Sequence, residues 1–473
     1  MAAWGALDAL FAPRRIAVVG ASRDPRKPGG LIFRYLLESR SQVYPVNPSA
    51  TEILGHRTWP DLASLPAPID LAVIATPATT VPDVVRACAR RGVPVAVVVA
   101  GGFGETGPEG RRLESEMAAA ARAGGVRLLG PNTLGVLVPS TGLDTMFVVR
   151  ERCPRPGPGP VAFISQSGAT AVTRMNAAAW EGLGFHSFVG LGNRVDIDEN
   201  ELLPYLAALP EVKAIALYLE SFSDGARFFE TVRSLGARVP ICLVKTGRSP
   251  AGARAAALHT GALAPGERVV GGILRQLGIY RAYDDEELVD VAWALARAPL
   301  PAGDGVAVLV SAGGHGVMMA DYLEAPVHSV HLRLSRLAPE TCDRLRSVVL
   351  PFAAVDNPVD LTASATVDMV EQALAIVGAD PAVHAILCGV QLEPPGLDAR
   401  LIQVVTAFAR STAKPVIAFS IGSDASLEAR RALNRAGVPA YPSLWRAARA
   451  LGALVEHARR VRAPRGLNPP SEP

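Results

Sequence analysis

The chain is written as short apolar runs, each followed by a longer helical pattern, and this alternation restricts the fold more than any other feature. In the first third the runs are residues 15–21 (RIAVVGA), 42–47 (QVYPVN), 71–76 (LAVIAT), 94–100 (PVAVVVA) and 127–130 (RLLG). Runs of four to seven β-favouring residues without polar alternation are strands covered on both faces. Strands alternating with helices make a parallel, doubly wound α/β sheet. Residues 153–160 (CPRPGPGP) hold four prolines in eight positions, which cannot continue a helix or a central strand and predict a linker.

A second alternation follows, with strands near 161–166, 185–192, 213–220 and 240–245, and it closes on a helical pattern at 285–297. After the break at 299–305 (PLPAGDG) a third brings strands near 306–312, 383–390 and 415–421 and helices near 399–411 and 445–460. The expected domains are residues 1–150, 151–298 and 299–463, with a loose tail at 464–473. A length of 473 residues agrees with roughly three cores of 100 to 200 residues each. In such sheets ligands bind beyond the carboxyl ends of the strands.

Composition narrows the function classes. With 49% hydrophobic and 19% charged residues the chain can bury large cores, and 47 basic against 44 acidic residues leave a net charge of only +3. No basic block with interleaved aromatics stands apart, so no nucleic-acid partner is expected. The five cysteines are far apart, with no C-x-x-C and no zinc-finger spacing, which fits reduced thiols in a cytoplasmic protein without a bound metal. Asp8 interrupts the first apolar stretch, the arginines follow rather than precede it, and no run reaches about 18 apolar residues; neither a signal peptide nor a membrane span is expected.

Three places carry chemistry. The first strand-to-helix turn runs from Val19-Gly20-Ala21-Ser22 through Arg26 and Lys27 to Gly29-Gly30. Small residues there admit a ligand close to the backbone, and N–H groups at a helix start attract phosphate. It is not G-x-G-x-x-G, and Asn47 stands where a dinucleotide site places an acid on the ribose hydroxyls. Neutral Asn47 with Arg26 and Lys27 tolerates a ribose phosphate, so the turn favours coenzyme A over NAD; a glycine-rich turn without a ligand is the other reading. The second place is Ser165-Gln166-Ser167-Gly168, where hydroxyls and free amides at a helix start make a compact anion site, although Ser and Thr are also ordinary N-caps. The third is His259, in a stretch of small residues from Ser249 to Ala264 that reads as a loop able to move. A neutral imidazole is a capable nucleophile towards phosphoryl groups, and Glu220, at the end of an apolar strand, is a carboxylate able to orient it. A structural histidine beside Leu258 and an exposed, salt-bridged Glu220 are the alternatives. His186 and His315 read as structural, and Asn357-Pro358-Val359-Asp360-Leu361 implies no chemistry by itself.

Taken together, Val-Gly-Ala-Ser at 19–22, Val-Asn-Pro at 46–48, Gly-Pro-Asn at 130–132, Ser-Gln-Ser-Gly at 165–168, Gly-Asn at 192–193 with Asp196, Tyr-Leu-Glu at 218–220 and His-Thr-Gly-Ala-Leu-Ala at 259–264 resemble the alpha subunit of the ADP-forming acyl-CoA synthetases, relatives of succinyl-CoA synthetase. The similarity in motif order runs from about residue 10 to about residue 460. The resemblance implies a CoA-binding Rossmann-like domain followed by two flavodoxin-like domains. It implies that acyl-CoA and phosphate give acyl phosphate and free CoA, and that a histidine carries the phosphoryl group to ADP on an ATP-grasp domain. Position by position, His259 matches the phosphorylated histidine and Glu220 the carboxylate that steadies it. Ser165, Ser167 and Gly168 match the phosphate cradle, and Gly20, Ala21, Ser22, Lys27, Asn47, Thr76 and Pro77 the CoA site.

Since the chain ends after its third α/β unit, the expected partner is a separate ATP-grasp beta subunit in a hetero-oligomer. ATP or ADP with magnesium would sit on that partner, and the other ligand would be a small carboxylic acid or its acyl-CoA. Three positions depart from the pattern: Leu258 where the family often has Ser, Thr133 where it has Cys, and Pro265 where it has Gly. Leu258 and Pro265 motivate a rival reading, a non-catalytic binder of CoA or acyl-CoA on the same scaffold; acyl transfer between CoA and a carboxylate without ATP is a third possibility.

Overall fold

The computed structural model describes residues 4–260, 266–327 and 329–462, with the side chains of 256–260 left aside. It separates into two compact units. One runs to Leu277 apart from residues 180–183; the other comprises 180–183 and the chain from Gly278 onward.

The first unit contains two large sheets and a small two-stranded ribbon of Glu52–Ile53 and His56–Arg57. The apolar runs of the first third become strands β1 (Arg15–Val19), β2 (Gln42–Val46), β3 (Leu71–Ile74), β4 (Val95–Val98) and β5 (Arg127–Leu129), in the order β2-β1-β3-β4-β5. Every pairing is parallel. All four residues of β3 and of β4 are buried, as an unbroken apolar run requires when helices cover both faces.

The second sheet is mixed. Its parallel strands β8 (Gly157–Ser165), β9 (Gly184–Gly190), β10 (Ala214–Leu219) and β11 (Ile241–Lys245) were anticipated from the apolar runs. Strands β6 (Val136–Val138) and β7 (Leu143–Asp144) were not, and they extend the order to β11-β10-β8-β9-β6-β7. Strand β6 pairs antiparallel with β9, Leu137 opposite Phe188, so a hairpin that precedes residue 150 belongs to the second sheet. At three and two residues these strands are too short to give a periodic signal.

The proline-rich stretch also corrects the expected linker, because β8 already begins at Gly157. Proline has no N–H to donate, and the register accordingly shifts between Pro158 and Val161 before regular pairing resumes. Pro158 thus lies at the exposed, irregular start of the strand, and Pro160 opens its buried part.

The second unit carries β12 (Gly305–Val310), β13 (Arg333–Leu334), β14 (Val359–Asp360), β15 (Ala385–Gly389), β16 (Val416–Phe419) and β17 (Ala440–Tyr441). The order is β13-β12-β15-β16-β17, with β14 beside β12. The helix Asp285–Arg297 packs in this unit although it follows the second alternation in sequence. Asp290 on that helix, 2% exposed, takes Nε and Nη2 of Arg446 at 2.7 Å each and Nη2 of Arg449 at 3.2 Å. Trp293 donates to Asn434 at 3.0 Å. Burial pushes the Asp290 carboxyl upward against the pull of the two guanidiniums.

All five cysteines are buried and unbridged, and burial pushes the thiols of Cys88 and Cys388 up to about 12. Among the described residues no helix is long and apolar enough to cross a membrane, and no cluster of three or more His, Cys, Asp or Glu is arranged to hold a metal.

Removing one partner of a buried ion pair leaves the other charge uncompensated, so Asp290→Ala is expected to destabilise the second unit by about 3 kcal/mol. Urea unfolding monitored by Trp293 fluorescence checks this; an unchanged midpoint would show that Arg446 and Arg449 find water instead.

Candidate active site

The turn after β1 is shaped by backbone crowding. Gly20 has φ 88°, and a Cβ there would lie 2.7 Å from the Ala75 carbonyl oxygen. A Cβ on Gly29 would stand 2.0 Å from the Gly20 carbonyl oxygen, so the helix Pro28–Leu36 can lie against the turn only if residue 29 is glycine. Pro28 takes the first helical position, where its missing N–H costs nothing, and no side chain caps this helix start. Ala21 is fully buried. Asn47 donates from Nδ2 to the Ala21 carbonyl at 2.8 Å and accepts from the Ser49 N–H at 2.8 Å, which ties the end of β2 to the turn after β1.

Of the two cations expected beside a phosphate, Lys27 stands at the N-cap, whereas Arg26 is already paired with Asp24 at 3.0 Å. That bond, with the Arg26 backbone N–H, lowers the Asp24 carboxyl to about 2. Thr76, at the end of β3, has a buried Oγ1 with no hydrogen-bond partner, next to exposed Pro77. A buried hydroxyl without a partner is costly unless a ligand meets it.

The Ser165–Gly168 turn serves as both a cap and a cradle. Ser165 Oγ donates to the Ser167 carbonyl at 2.7 Å, and Ser167 Oγ accepts from the Thr170 N–H at 3.3 Å, so Ser167 caps the helix Gly168–Trp180. Gln166, quoted within the motif but given no role from sequence, accepts the N–H groups of Glu220 at 2.9 Å and Ser221 at 3.1 Å. The structure therefore brings the Ser165–Gly168 turn and the Glu220 segment together at adjacent strand ends. Glu220 is 9% exposed, and its carbonyl accepts Nζ of buried Lys245 at 2.6 Å.

Position 259 falls on the helix Pro250–Thr260, but the His259 and Leu258 side chains and Pro265 lie outside the described residues. The expected small-residue loop is therefore helical through Thr260. Alanines are the best helix formers, Pro250 occupies the first turn and Ser249 Oγ accepts the Gly252 N–H at 3.0 Å, which together start a helix.

The remaining motifs are structural pins. Thr133 Oγ1 donates to the Gly190 carbonyl at 2.6 Å and accepts the Gly135 N–H at 3.0 Å. Asp196 pairs with Arg127 at 2.9 Å and accepts the Leu128 N–H at 2.8 Å. Asn193 donates from Nδ2 to both Glu105 and Glu114 at 2.7 Å. Burial opposes the charge on Glu105, but Asn193 and nearby backbone N–H groups outweigh it and hold the carboxyl below its usual range. His186 bonds Ser187 at 3.1 Å and is pushed towards its neutral form by burial. His315 contacts the Gln391 amide and meets Phe419 edge-on. Asn357 bonds the backbone of Val306, Val308 and Ser335.

Sequence reasoning gave no role to Gln166, nor to Arg194 and Glu199, which bond Ser221 and Ser223 just after Glu220. The only signal for the last two was a run of charges where a loop leaves a buried strand.

Comparison with known proteins bears directly on this arrangement. Residues 14–139 match the CoA binding domain family, residues 158–295 the succinyl-CoA ligase like flavodoxin domain and residues 306–463 the Ligase-CoA domain. The alpha subunit of acetate–CoA ligase [ADP-forming] II from Pyrococcus furiosus is 36% identical over 462 residues, covering 96% of this chain and 98% of that one. The chain belongs to the family of ADP-forming acetate–CoA ligase alpha subunits. The 4-hydroxybutyrate–CoA ligase [ADP-forming] of Nitrosopumilus maritimus is 28% identical over 465 residues and is matched over 65% of its length. Among solved family structures, an acetyl-coenzyme A synthetase of Ca. Korarchaeum cryptofilum in complex with phosphate and ADP is 34% identical, with a TM-score of 0.87 over 97% of this chain and 99% of that one. The α/β fold read from sequence and the expectation of coenzyme A binding by the first domain agree with this family, and its ligase members favour catalysis over a binder that has lost it.

Gly29→Ala is expected to push the helix start away from the turn at a cost of about 1–3 kcal/mol and to weaken CoA binding by about tenfold or more. Calorimetric titration with CoA measures it; unchanged affinity would mean that the turn is not where CoA is held.

Proposed function

We propose that this chain is the CoA-binding, phosphoryl-carrying subunit of an acid–CoA ligase that interconverts acyl-CoA, ADP and phosphate with carboxylic acid, CoA and ATP. The observation that carries this reading is the end-to-end match to an ADP-forming alpha subunit at 36% identity, which spans all three matched domains. The bonding of the Ser165–Gly168 turn to the Glu220 segment supports it physically.

Phosphate displaces CoA from the acyl carbon, giving acyl phosphate and free CoA. The imidazole of His259 then attacks the phosphorus, releasing the carboxylate, and the phosphohistidine passes its phosphoryl group to ADP. Gly20, Ala21, Ser22, Lys27, Asn47, Thr76 and Pro77 hold CoA, with the crowded glycine turn admitting the ligand to the backbone and the Thr76 hydroxyl awaiting a partner. Ser165, Ser167 and Gly168 hold phosphate at a helix start. Glu220 keeps the imidazole in one tautomer and stabilises the charge that develops on phosphorylation.

The partner is an ATP-grasp beta subunit that brings ADP or ATP with magnesium, and together the two chains form a hetero-oligomer in the cytoplasm. The domains divide as 1–150, 151–298 and 299–463, with 464–473 as a tail. The acid is a small carboxylic acid; the Pyrococcus furiosus relatives are named for acetate.

The test uses the complex with its nucleotide-binding subunit and γ-labelled ATP. His259→Asn should lose the acid-labile, base-stable phosphoryl label and retain CoA affinity, and a His259→Asn complex that still turns over would overturn the reading. Glu220→Gln is expected to slow labelling by about 10² to 10⁴. Thr76→Val should weaken CoA binding about fivefold, the value of one hydrogen bond, without shifting the unfolding midpoint. An unaltered dissociation constant would remove Thr76 from the site.

A further inference from the structure

The four-residue segment that follows β10 is held more tightly than its position on a loop requires. Gln166 Oε1 takes the N–H groups of Glu220 and Ser221. Arg194 donates Nη1 to the Ser221 carbonyl at 2.8 Å and Nη2 to the Ser221 hydroxyl at 2.7 Å. Glu199 Oε1 accepts the Ser223 N–H at 2.7 Å and its hydroxyl at 3.1 Å, while Glu199 Oε2 meets Arg194 Nη1 at 3.0 Å. Arg194 and Glu199, bonded to each other, thus grip Ser221 and Ser223, whose hydroxyl also donates to Asp198 at 2.7 Å.

Both charges are removed from water, the Arg194 side chain being 8% exposed and the Glu199 side chain 0%. Arg194 also has φ 57°, a left-handed backbone that arginine seldom adopts and that persists only where the surroundings enforce it. A buried ion pair adds little to stability compared with apolar residues of the same volume, so stability is a poor explanation for two charges and a strained backbone here. What the pair supplies is geometry. The planar guanidinium fixes two donors on one residue at set angles, which the single ammonium of lysine cannot reproduce.

We infer that Arg194, braced by Glu199, is a positioning residue for Glu220. The inference rests on the proposed role of Glu220 in phosphoryl transfer. Arg194 touches no reacting atom; it fixes the backbone from Ser221 to Ser223 and so the direction in which the neighbouring carboxylate is offered. Displacement of a catalytic group by about 1 Å can cost about 10² in rate.

The experiment is a double-mutant cycle in the complex with the nucleotide-binding subunit, following labelling of the chain by γ-labelled ATP together with the KM for CoA. Arg194→Met is expected to slow labelling by about 10 to 100-fold with the KM for CoA unchanged, and to slow it no further when Glu220 is already Gln. That non-additivity is what indirect action through Glu220 requires; general damage would slow both backgrounds alike. Equal slowing in both backgrounds, or no slowing in either, would overturn the inference and leave Glu220's role standing. Full activity of Glu220→Gln alone would instead remove that role, and the inference with it. If Arg194→Met fails to assemble, Arg194→Lys takes its place: it keeps the charge against Glu199 but not the two-pronged grip. It should give a smaller loss on the wild-type background and none on Glu220→Gln, and undiminished labelling by Arg194→Lys would likewise overturn the inference.

Discussion

The first unit depends on a run of backbone hydrogen bonds between its two large sheets. Residues 193–197 run along the edge strand β5 and the turn after it: Asn193 N–H donates to the Pro131 carbonyl at 2.9 Å, Val195 to Gly130 at 3.2 Å and Ile197 to Leu128 at 3.0 Å. Arg127 closes the contact with Nε and Nη2 on the Asp196 carboxylate and Nη2 on Glu201. On the other side, the hairpin after β5 adds its strands to the second sheet through Leu137 and Phe188. Each sheet therefore lends a segment to the other, and the carboxyl ends that bear the turns are fixed within one unit.

This exchange explains why so many polar side chains are buried close to the site. Asp198, Glu199, Asn200, Glu220 and Ser221 are each below 10% exposed. The loops between strand ends have no ladder of their own, and a buried backbone group must find a partner. Gln166, Thr133, Arg194 and Glu199 supply those partners as side chains. The second unit follows the same physics with a different lock, the carboxylate of Asp290 between Arg446 and Arg449, which holds the helix Asp285–Arg297 against the helix Leu444–Arg462.

The α/β alternation was legible because parallel strands covered on both faces leave unbroken apolar runs, and the central strands fell within a residue or two of their expected limits. The short strands β6, β7, β13, β14 and β17 and the proline-rich start of β8 were not. Strand β6 is placed by β9 about 50 residues further along, and runs of two or three residues are too few to show a period. The helix Pro250–Thr260 was read as a mobile loop because smallness was weighed as freedom, when alanine is also the strongest helix former.

The sequence by itself marked the candidate ligand turns, since small residues after a buried strand, an asparagine at a strand end and a Ser-x-Ser-Gly helix start each state a local requirement. It also determined the family, because those turns recur in one order over the whole chain. Only the tertiary structure decided which side chains hold those turns in place. Gln166 meets Glu220 across 54 residues and Arg194 meets Ser221 across 27. Such contacts follow from the crossover that sets β10 beside β8, and a side chain's partner at that distance is fixed by the path of the backbone, which no local pattern records.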